Sequence, residues 1–489
     1  VLLIISDDLN NFLGCYGDPR AKTPHIDRLA ARGTTFRRAY CTYPLCGPSR
    51  NSMLTGLYPN STGILQNQQI FRQTIPKHLS LPHAFRQHGY FAARIGKLYH
   101  YNVPRSIGTN GHDDPASWEL EINPAGVDRL EEESKIQSLT PGQFGGTLSW
   151  YASPKEGAFH TDGIMARDAQ WVLERCAARA ERLFFLAVGF YRPHTPFVAP
   201  RSPYFDLYPE REMPLLPGID QTRGRVPRAA LASYKQEQDK LTDQLRQQVV
   251  QAYYASISFM DAQVGHVLDA LDRLGLADST IIAFTSDHGY HMGEHGLWQK
   301  MSLFEESARV PFLIVAPGIG QTGAVVETPV SQVDLYPTLA ELCSLSVSDK
   351  LQGQSLVPML RDSQESGRGW ALTQVQRPAN ARSEHPVDNQ VSGAAESTRQ
   401  KERGAFMGYS LRTQRWRYTQ WDEGREGEEL YDHDADPGEQ NNLAADPAYS
   451  ELIQQLSMQL RSAVASSFPS SGEMPSIRPE PWAPNLTDP

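Results

Sequence analysis

The chain of 489 residues is 40% hydrophobic and 21% charged, which places it among globular proteins and excludes disordered and fibrous classes. One core rarely serves a chain of that length, so two domains are expected, and no apolar run reaches the roughly 18 residues of a membrane-spanning helix. A formal charge of -10 excludes a general binder of nucleic acid or other polyanions, yet leaves room for a local cluster of Lys, Arg and His that holds one anion.

Val1 to Ile5 is a continuous apolar run ending at Ser6-Asp7-Asp8, the pattern of a strand buried on both faces of a parallel sheet. Open α/β sheets place ligands at the carboxyl ends of strands, so the adjacent carboxylates of Asp7 and Asp8 suit a hard cation there. Their ordinary alternative is a turn or helix-capping pair. Thr23 to Thr34 reads as a helix started by Pro24 and ended by Gly33, with Ile26, Leu29 and Ala30 on one face. Cys46-Gly47-Pro48-Ser49-Arg50 then puts a thiol, a turn and a cation at a helix start, where backbone N–H groups and the helix dipole draw an anion. Taken alone, the thiol reads more simply as a buried, inert cysteine.

Leu81 to Gly89 is expected to be a helix capped by Ser80. Tyr90 to Ile95 is expected as a strand delivering Gly96-Lys97-Leu98-Tyr99-His100, a cation and a titratable base three residues apart. Residues 101–157 lose periodicity and read as a loop-rich insertion shaping the substrate mouth. Gly163 to Glu181 is helical and Leu183 to Gly189 a strand. Beyond them Pro193 and Pro196 hold His194 extended and keep a helix or ladder from claiming it. Gln247 to Leu274 is a long amphipathic helix. Thr280 to Thr285 repeats the layout of the first strand and ends at Ser286-Asp287-His288-Gly289, so the two strand ends can face one cation. A Gly-punctuated loop, Gly293-Glu294-His295-Gly296-Leu297-Trp298-Gln299-Lys300, carries another lysine. Val310 to Val315 is a strand, and Asp334 is expected to cap a helix from Leu335 to Leu342.

Residues 374–404 lack apolar periodicity and read as a linker or mobile insertion. Met407 to Leu411, Trp416 to Trp421 and Glu429 to Asp432 look like strands, and Ala448 to Val464 like a closing helix. The expected fold class is α/β. Residues 1–373 form a large domain with a mostly parallel central sheet flanked by helices, and residues 405–489 a small α+β domain with an antiparallel sheet. Cys15, Cys41, Cys46, Cys176 and Cys343 are odd in number and lack metal-type spacing, so no disulfide framework is expected.

The ordered string from Cys46 to Gly56, C-x-P-S-R followed by x-x-x-L-T-G, resembles the signature of type I sulfatases. The wider likeness is to the iduronate-2-sulfatase subfamily and its bacterial carbohydrate-sulfatase relatives. It runs from Val1 to about Leu443 and includes Lys97-Leu98-Tyr99-His100, Arg192-Pro193-His194 and Glu294-His295-Gly296. The resemblance implies an alkaline-phosphatase-like fold. It also implies that a maturation enzyme oxidises Cys46 to formylglycine, an aldehyde whose hydrate is the nucleophile. Asp7, Asp8, Asp287 and His288, with an oxygen from the modified Cys46, make a mostly carboxylate shell suited to calcium or magnesium rather than zinc, and the resemblance implies calcium. Many sulfatases have Asn where this chain has His288. By the same mapping Arg50 polarises the formylglycine, Lys97 and Lys300 bind sulfate oxygens, His100 accepts the proton that drives sulfate release, and His194 or Lys300 serves the leaving oxygen.

The implied reaction is hydrolysis of a sulfate ester on a sulfated sugar or polysaccharide fragment, with exo action at a terminal residue expected. Tyr290 and Trp298 are candidates to stack on the sugar, and Arg412 or Arg415 to meet a uronate carboxylate. Two alternatives stay open: a phosphonate or phosphate monoester hydrolase on the same fold, and a non-catalytic binder of sulfated glycans. The latter would be expected to lack one of Cys46, Arg50, Lys97 or Asp287. The sequence opens directly on a strand, so any targeting leader is expected to have been trimmed or never present. A periplasmic, secreted or lysosomal home is expected from the substrate class, and Asn60-Ser61-Thr62 and Asn485-Leu486-Thr487 fit the glycosylation pattern.

Overall fold

A computed structural model describes residues 1–347, 350–382 and 404–478. Eight strands form the central sheet: β1 (Leu2–Asp7), β2 (Thr34–Phe36), β3 (Phe91–Gly96), β4 (Leu120–Ile122), β5 (Phe184–Pro193), β6 (Ile282–Ser286), β7 (Phe312–Val315) and β8 (Ala324–Val326). Their order is β8-β2-β7-β6-β1-β5-β3-β4, parallel throughout except at β7, which runs against both its neighbours. The expected mostly parallel sheet is therefore present.

Six helices cover it: α1 (Pro24–Arg32), α2 (Cys46–Thr55), α3 (Leu81–Gln87), α4 (Thr161–Ala177), α5 (Asp243–Arg273) and α6 (Leu335–Leu342). Side chains alternate across β1, so Leu2 and Ile4 enter a core with α1, α4 and α5, while Leu3 and Ile5 enter a second core with α2, α3 and α6. Helices on both faces are why this strand is apolar without a break. Each such fully buried aliphatic side chain contributes about 2 kcal/mol.

Four adjacent parallel strands, β6-β1-β5-β3, have their carboxyl ends on one edge of the sheet, with Ser6 opposite both Ser286 and Phe190, and Gly96 opposite Gly189. That last pair needs glycine. A Cβ on Gly189 would stand 1.8 Å from the Lys97 carbonyl oxygen, and Gly96 has φ of +72°. The two glycines let the chain turn Lys97 inward beside β1.

A second sheet is antiparallel, with β9 (Trp370–Arg377), β10 (Phe406–Thr413), β11 (Trp416–Trp421) and β12 (Glu428–Asp432) in consecutive order. Helix α7 (Ser450–Ser466) packs on it, with Leu456 and Leu460 meeting Leu411, Tyr418 and Leu430. A buried ion cluster ties this sheet to the central part. Arg417 donates to both Glu305 and Glu439, Tyr40 donates to Glu305 at 3.0 Å, and the Glu305 backbone N–H donates to Glu439 at 2.8 Å.

Several expectations shift. Strand β9 runs to Arg377, so Gln374 to Arg377, read as the start of a linker, are ladder residues; residues 383–403 lie outside the described residues. Their polarity misled because it is satisfied internally: Gln374 donates to Asn60 at 2.8 Å and Arg377 to the Ala229 carbonyl at 2.8 Å. Strand β5 continues to Pro193, pairing with Asp7. Inside 101–157, Leu120–Ile122 is an edge strand of the central sheet and Ser149–Ser153 pairs with Phe197–Pro200. Neither Ser80 nor Asp334 caps its helix through the side chain; the Asp334 carboxylate accepts from the Ser331 and Gln354 backbones and from Arg368. Asn60 is fully buried, which removes it as a glycosylation acceptor, and Asn485 lies outside the described residues.

Glu429 in β12 is a buried carboxyl held by Trp421 Nε1 at 2.6 Å and Tyr431 Oη at 2.7 Å. Burial pushes its pKa up to about 7 against those two donors, with the Glu439 charge adding to the rise. A native pKa above the unfolded value of 4.5 means the native state holds the proton more tightly. Its contribution is full below the unfolded pKa and is lost as pH rises through the native one. Glu429→Gln is neutral at every pH and can donate to Tyr431. Its stability relative to the parent is expected to rise by roughly 3 kcal/mol between about pH 4 and pH 8 in denaturant titrations, whereas an unchanged difference contradicts this reading.

Candidate active site

The edge where β6, β1, β5 and β3 end is closed by the start of α2. Cys46 is the first residue of that helix, every residue of which is buried. The Gly47 N–H, which the helix cannot satisfy itself, donates to Asn67 Oδ1 at 2.8 Å. Arg50 lies four residues on and therefore on the same face as Cys46. At the end of β1 the ladder shifts register between Ser6 and Asp7, and Asp8 has φ of +62°. This breaks the strand's alternation and lets Asp7 and Asp8 both contribute to the site.

Arg50 joins two strand ends. Its Nη2 donates to Asp7 Oδ1 at 3.1 Å, its Nε to Asp287 Oδ2 at 2.9 Å, and its Nη1 to the carbonyls of Lys97 and Leu98 at 2.6 and 3.1 Å. Lys97 Nζ donates to the other Asp7 oxygen at 2.6 Å. Lys300 Nζ reaches Asp8 Oδ1 at 2.5 Å and Cys46 Sγ at 3.2 Å. His288 Nε2 stands 3.3 Å from both Cys46 Sγ and Asp8 Oδ1, and 3.7 Å from Asp287 Oδ2. His194 Nε2 is 3.6 Å from Asp8 Oδ2. Both imidazoles must donate from Nδ1, His288 to the Gly289 carbonyl at 2.8 Å and His194 to the Thr195 carbonyl at 2.6 Å, since a carbonyl only accepts. Neutral rings therefore turn a lone pair on Nε2 toward the carboxylates.

Asp8, Cys46, Asp287 and His288 offer ligand atoms that all lie within 4.8 Å of one another, all buried. Asp8 Oδ2 is buried without a hydrogen-bond partner. An orphaned carboxylate oxygen, a second carboxylate and an imidazole lone pair in that space fit a cation. Asp7 stands just behind, with its oxygens paired to Arg50 and Lys97 rather than within the group of four.

Charge balance governs the protonation states. Burial works to raise Asp8, but His194, Lys300 and His288 outweigh it and hold it below the ordinary range. Burial likewise opposes the His288, Arg50 and Lys97 neighbours of Asp287, which pull it well below. Burial raises Asp7 to about 6, against the pull of Lys97 and with the push of the Asp287 charge. Burial lowers both His288 and His194, favouring the neutral rings. Lys300 is held above its ordinary value because Asp8 and Cys46 overcome its burial. Burial raises the Cys46 thiol in spite of Lys300 and Lys97.

Of the residues singled out in the sequence, nine converge: Asp7, Asp8, Cys46, Arg50, Lys97, His194, Asp287, His288 and Lys300. His100 adjoins them, feeling Lys97, Lys300, Arg50 and His194, and its Nδ1 is buried without a partner. The four sugar candidates have other roles. Tyr290 is 1% exposed and stacks on Tyr253 at 5.6 Å, and Trp298 belongs to the core; an aromatic in a loop gives no sign of which way it packs. Arg412 is buried near Glu305 at 3.6 Å, and Arg415 forms a two-pronged pair with Asp432 at 2.7 and 2.8 Å.

Some supporting roles were not readable from the sequence, even where the residue lies in a quoted string. Arg192 donates to Asp128 at 2.6 Å and to the Pro196 carbonyl at 3.0 Å, fixing the His194 loop. Ser49 Oγ donates to the Asp287 carbonyl at 2.5 Å, and Tyr253 Oη to the Asp8 carbonyl at 2.8 Å. Lys235, whose pKa burial lowers, is close enough to feel Lys300 and Asp8.

The sulfatase family model matches residues 1–345. A sulfatase of Formosa agariphila is 32% identical over 470 residues, covering 93% of this chain and 85% of that protein. Iduronate 2-sulfatase of Mus musculus is 31% identical over 533 residues, covering 93% of this chain and 92% of that protein. Among solved structures, phosphonate monoester hydrolase of Agrobacterium radiobacter aligns with a TM-score of 0.75 at 24% identity, covering 96% of this chain and 95% of its own. That likeness shows the shared alkaline-phosphatase-like fold.

Removing one partner of a buried ion pair strands the other. Arg50→Met leaves Asp287 and Asp7 short of a shared cation, and is expected to cost about 3–5 kcal/mol in urea unfolding; a loss under about 1 kcal/mol would show that the guanidinium does not hold the strand ends together.

Proposed function

The chain belongs to the sulfatase family and is a sulfuric ester hydrolase, and from that premise we propose that it removes sulfate from the end of a sulfated sugar or polysaccharide fragment, using a formylglycine made from Cys46 and one calcium ion. The observation that carries this reading is the meeting of Cys46 Sγ with Lys300 at 3.2 Å and His288 at 3.3 Å, inside a ring of carboxylates and cations at four strand ends. The substrate class is supported by the name of the mouse relative, iduronate 2-sulfatase. Calcium is supported by the two carboxylates of the group, Asp8 and Asp287, with Asp7 beside them; His288 is the softer member.

The formylglycine hydrate supplies a nucleophilic hydroxyl and a second hydroxyl whose ionisation allows sulfate to leave, and calcium supplies a fixed positive charge beside it. Asp8, Asp287 and His288 would hold that ion. Lys97 and Lys300 bring the positive charge that the non-bridging sulfate oxygens require. Arg50 fixes the residue 46 helix against β1 and β6. His100, buried with Nδ1 unpartnered, accepts a proton from the residue 46 side chain. The proton for the leaving oxygen falls to His194 or Lys300: Lys300 is held charged by Asp8 and carries one, whereas His194, neutral at rest with its Nε2 lone pair toward Asp8, first takes one up there.

A phosphonate or phosphate monoester hydrolase is the second reading, favoured only by the shared fold, since sulfuryl and phosphoryl groups call for similar cations. A non-catalytic binder is disfavoured because Cys46, Arg50, Lys97 and Asp287 are all present and assembled. We place the enzyme in a periplasmic, secreted or lysosomal compartment, where sulfated polysaccharides occur; among the described residues no helix is long and apolar enough to cross a membrane.

Protein matured by a formylglycine-generating enzyme is expected to release sulfate from sulfated saccharides faster than phosphate from matched phosphate esters, and the reverse order would favour the second reading. Cys46→Ala is expected to lower turnover by a hundredfold or more. Peptide mass across residue 46 should fall by about 18 Da on conversion of CH2SH to CHO. Undiminished sulfate release from Cys46→Ala would refute the mechanism.

A further inference from the structure

A second cluster of ligating side chains shares no residue with the Cys46 group. His291, Glu294 and His295 come from the loop that leads to Lys300, Glu306 from the turn after it, and Glu439 from the segment following β12. His291, His295 and Glu439 are 0%, 5% and 1% exposed. Ligand atoms of His295, Glu306 and Glu439 all lie within 4.8 Å of one another. His295 Nε2 is 3.8 Å and His291 Nδ1 3.9 Å from Glu306 Oε2, both too long for hydrogen bonds.

Both ring nitrogens of His295, His291 Nδ1 and Glu306 Oε2 are buried, and among the described residues none has a hydrogen-bond partner. Three of these four, His295 Nε2, His291 Nδ1 and Glu306 Oε2, gather around the Glu306 carboxylate with no hydrogen bond among them, and such a group asks for an occupant. His291 Nε2 meets Ser302 Oγ at 2.6 Å and can donate there, which leaves the Nδ1 lone pair facing Glu306. Glu439 accepts from Arg417, His433 and the Glu305 N–H. A carboxylate has about four lone-pair sites, so one remains. Burial raises both Glu306 and Glu294, with the Glu294 charge adding to the rise at Glu306, as expected of carboxyls short of positive charge.

We propose that His295, Glu306 and Glu439, with His291 in reach, form a structural site for one divalent transition cation of the zinc or manganese class. Imidazole mixed with carboxylate suits those ions better than it suits calcium. A tetrahedral ion with bonds of about 2.0–2.1 Å spaces its ligand atoms about 3.3 Å apart, so side-chain rotations of about an ångström close the set. The ion would pin the loop that carries Lys300 to the C-terminal sheet through Glu439. This holds whatever ester the Cys46 site cleaves.

The test uses the full chain, stripped with a chelator, equilibrated with calcium and either zinc or manganese, desalted, and counted by elemental mass spectrometry. Two divalent ions per chain are expected, with Glu306→Gln and His295→Gln each retaining one and losing the rise in melting temperature that zinc gives the parent. Cobalt-loaded protein should show d–d absorption that persists in Asp8→Asn, where the Cys46 group is broken, and vanishes in Glu306→Gln. One ion per chain in the parent, or an unchanged count in Glu306→Gln, would overturn the proposal. Should either variant fail to give a native circular dichroism spectrum, the parent count and the cobalt band in Asp8→Asn decide it alone.

Discussion

The guanidinium of Arg50, shared between Asp7 and Asp287, is the contact on which the rest of the structure depends. Three carboxylates buried at the ends of neighbouring strands would repel one another and bear the full cost of desolvation. Arg50, Lys97 and Lys300 offset them charge for charge, and none of the three lysine and arginine heads is free to swing into water: Arg50 and Lys97 have no exposed side-chain surface, and Lys300 has 15%. The geometry follows from this balance. Strands β1 and β6 must run parallel and in register to bring Asp7 and Asp287 to one guanidinium, and α2 must start at that edge to supply it.

The same arrangement that solves a stability problem creates reactivity. Cations crowded around carboxylates in a buried pocket are preorganised for the anionic oxygens of a sulfate ester. Cys46 lies at the focus because it is four residues before Arg50, so anchoring the arginine also fixes the thiol. The glycine pair at positions 96 and 189 does comparable work on the other side, letting β3 lie close enough to β5 for Lys97 to reach Asp7.

Much of this was legible from the chain. Apolar runs ending in Asp7-Asp8 and Asp287-His288 announced buried parallel strands with ligands at their carboxyl ends, and the string from Cys46 to Arg50 announced a helix start with chemistry. These signals are local, and the sheet joins them without rearrangement. What could not be read were side chains whose role depends on what packs over them. Tyr290 and Trp298 look like sugar platforms in a loop but are core, and Arg412 and Arg415 look like carboxylate receptors but are already paired with Glu305 and Asp432. Gln374 to Arg377 read as a linker because a strand with internally satisfied polar side chains has no apolar period. Arg192 and Asp128, far apart in sequence, become a pair only in three dimensions.

The central claim is that four strand ends and one helix start make a single sulfuryl-transfer site around residue 46. A crystal structure of the matured chain with a sulfated saccharide bound tests it most directly. The account predicts the sulfate sulfur facing the residue 46 side chain, with Lys97 and Lys300 on its oxygens and cation density among Asp8, Asp287 and His288. Sulfate bound elsewhere on the protein, or those three residues without an ion between them in metal-replete crystals, would contradict it.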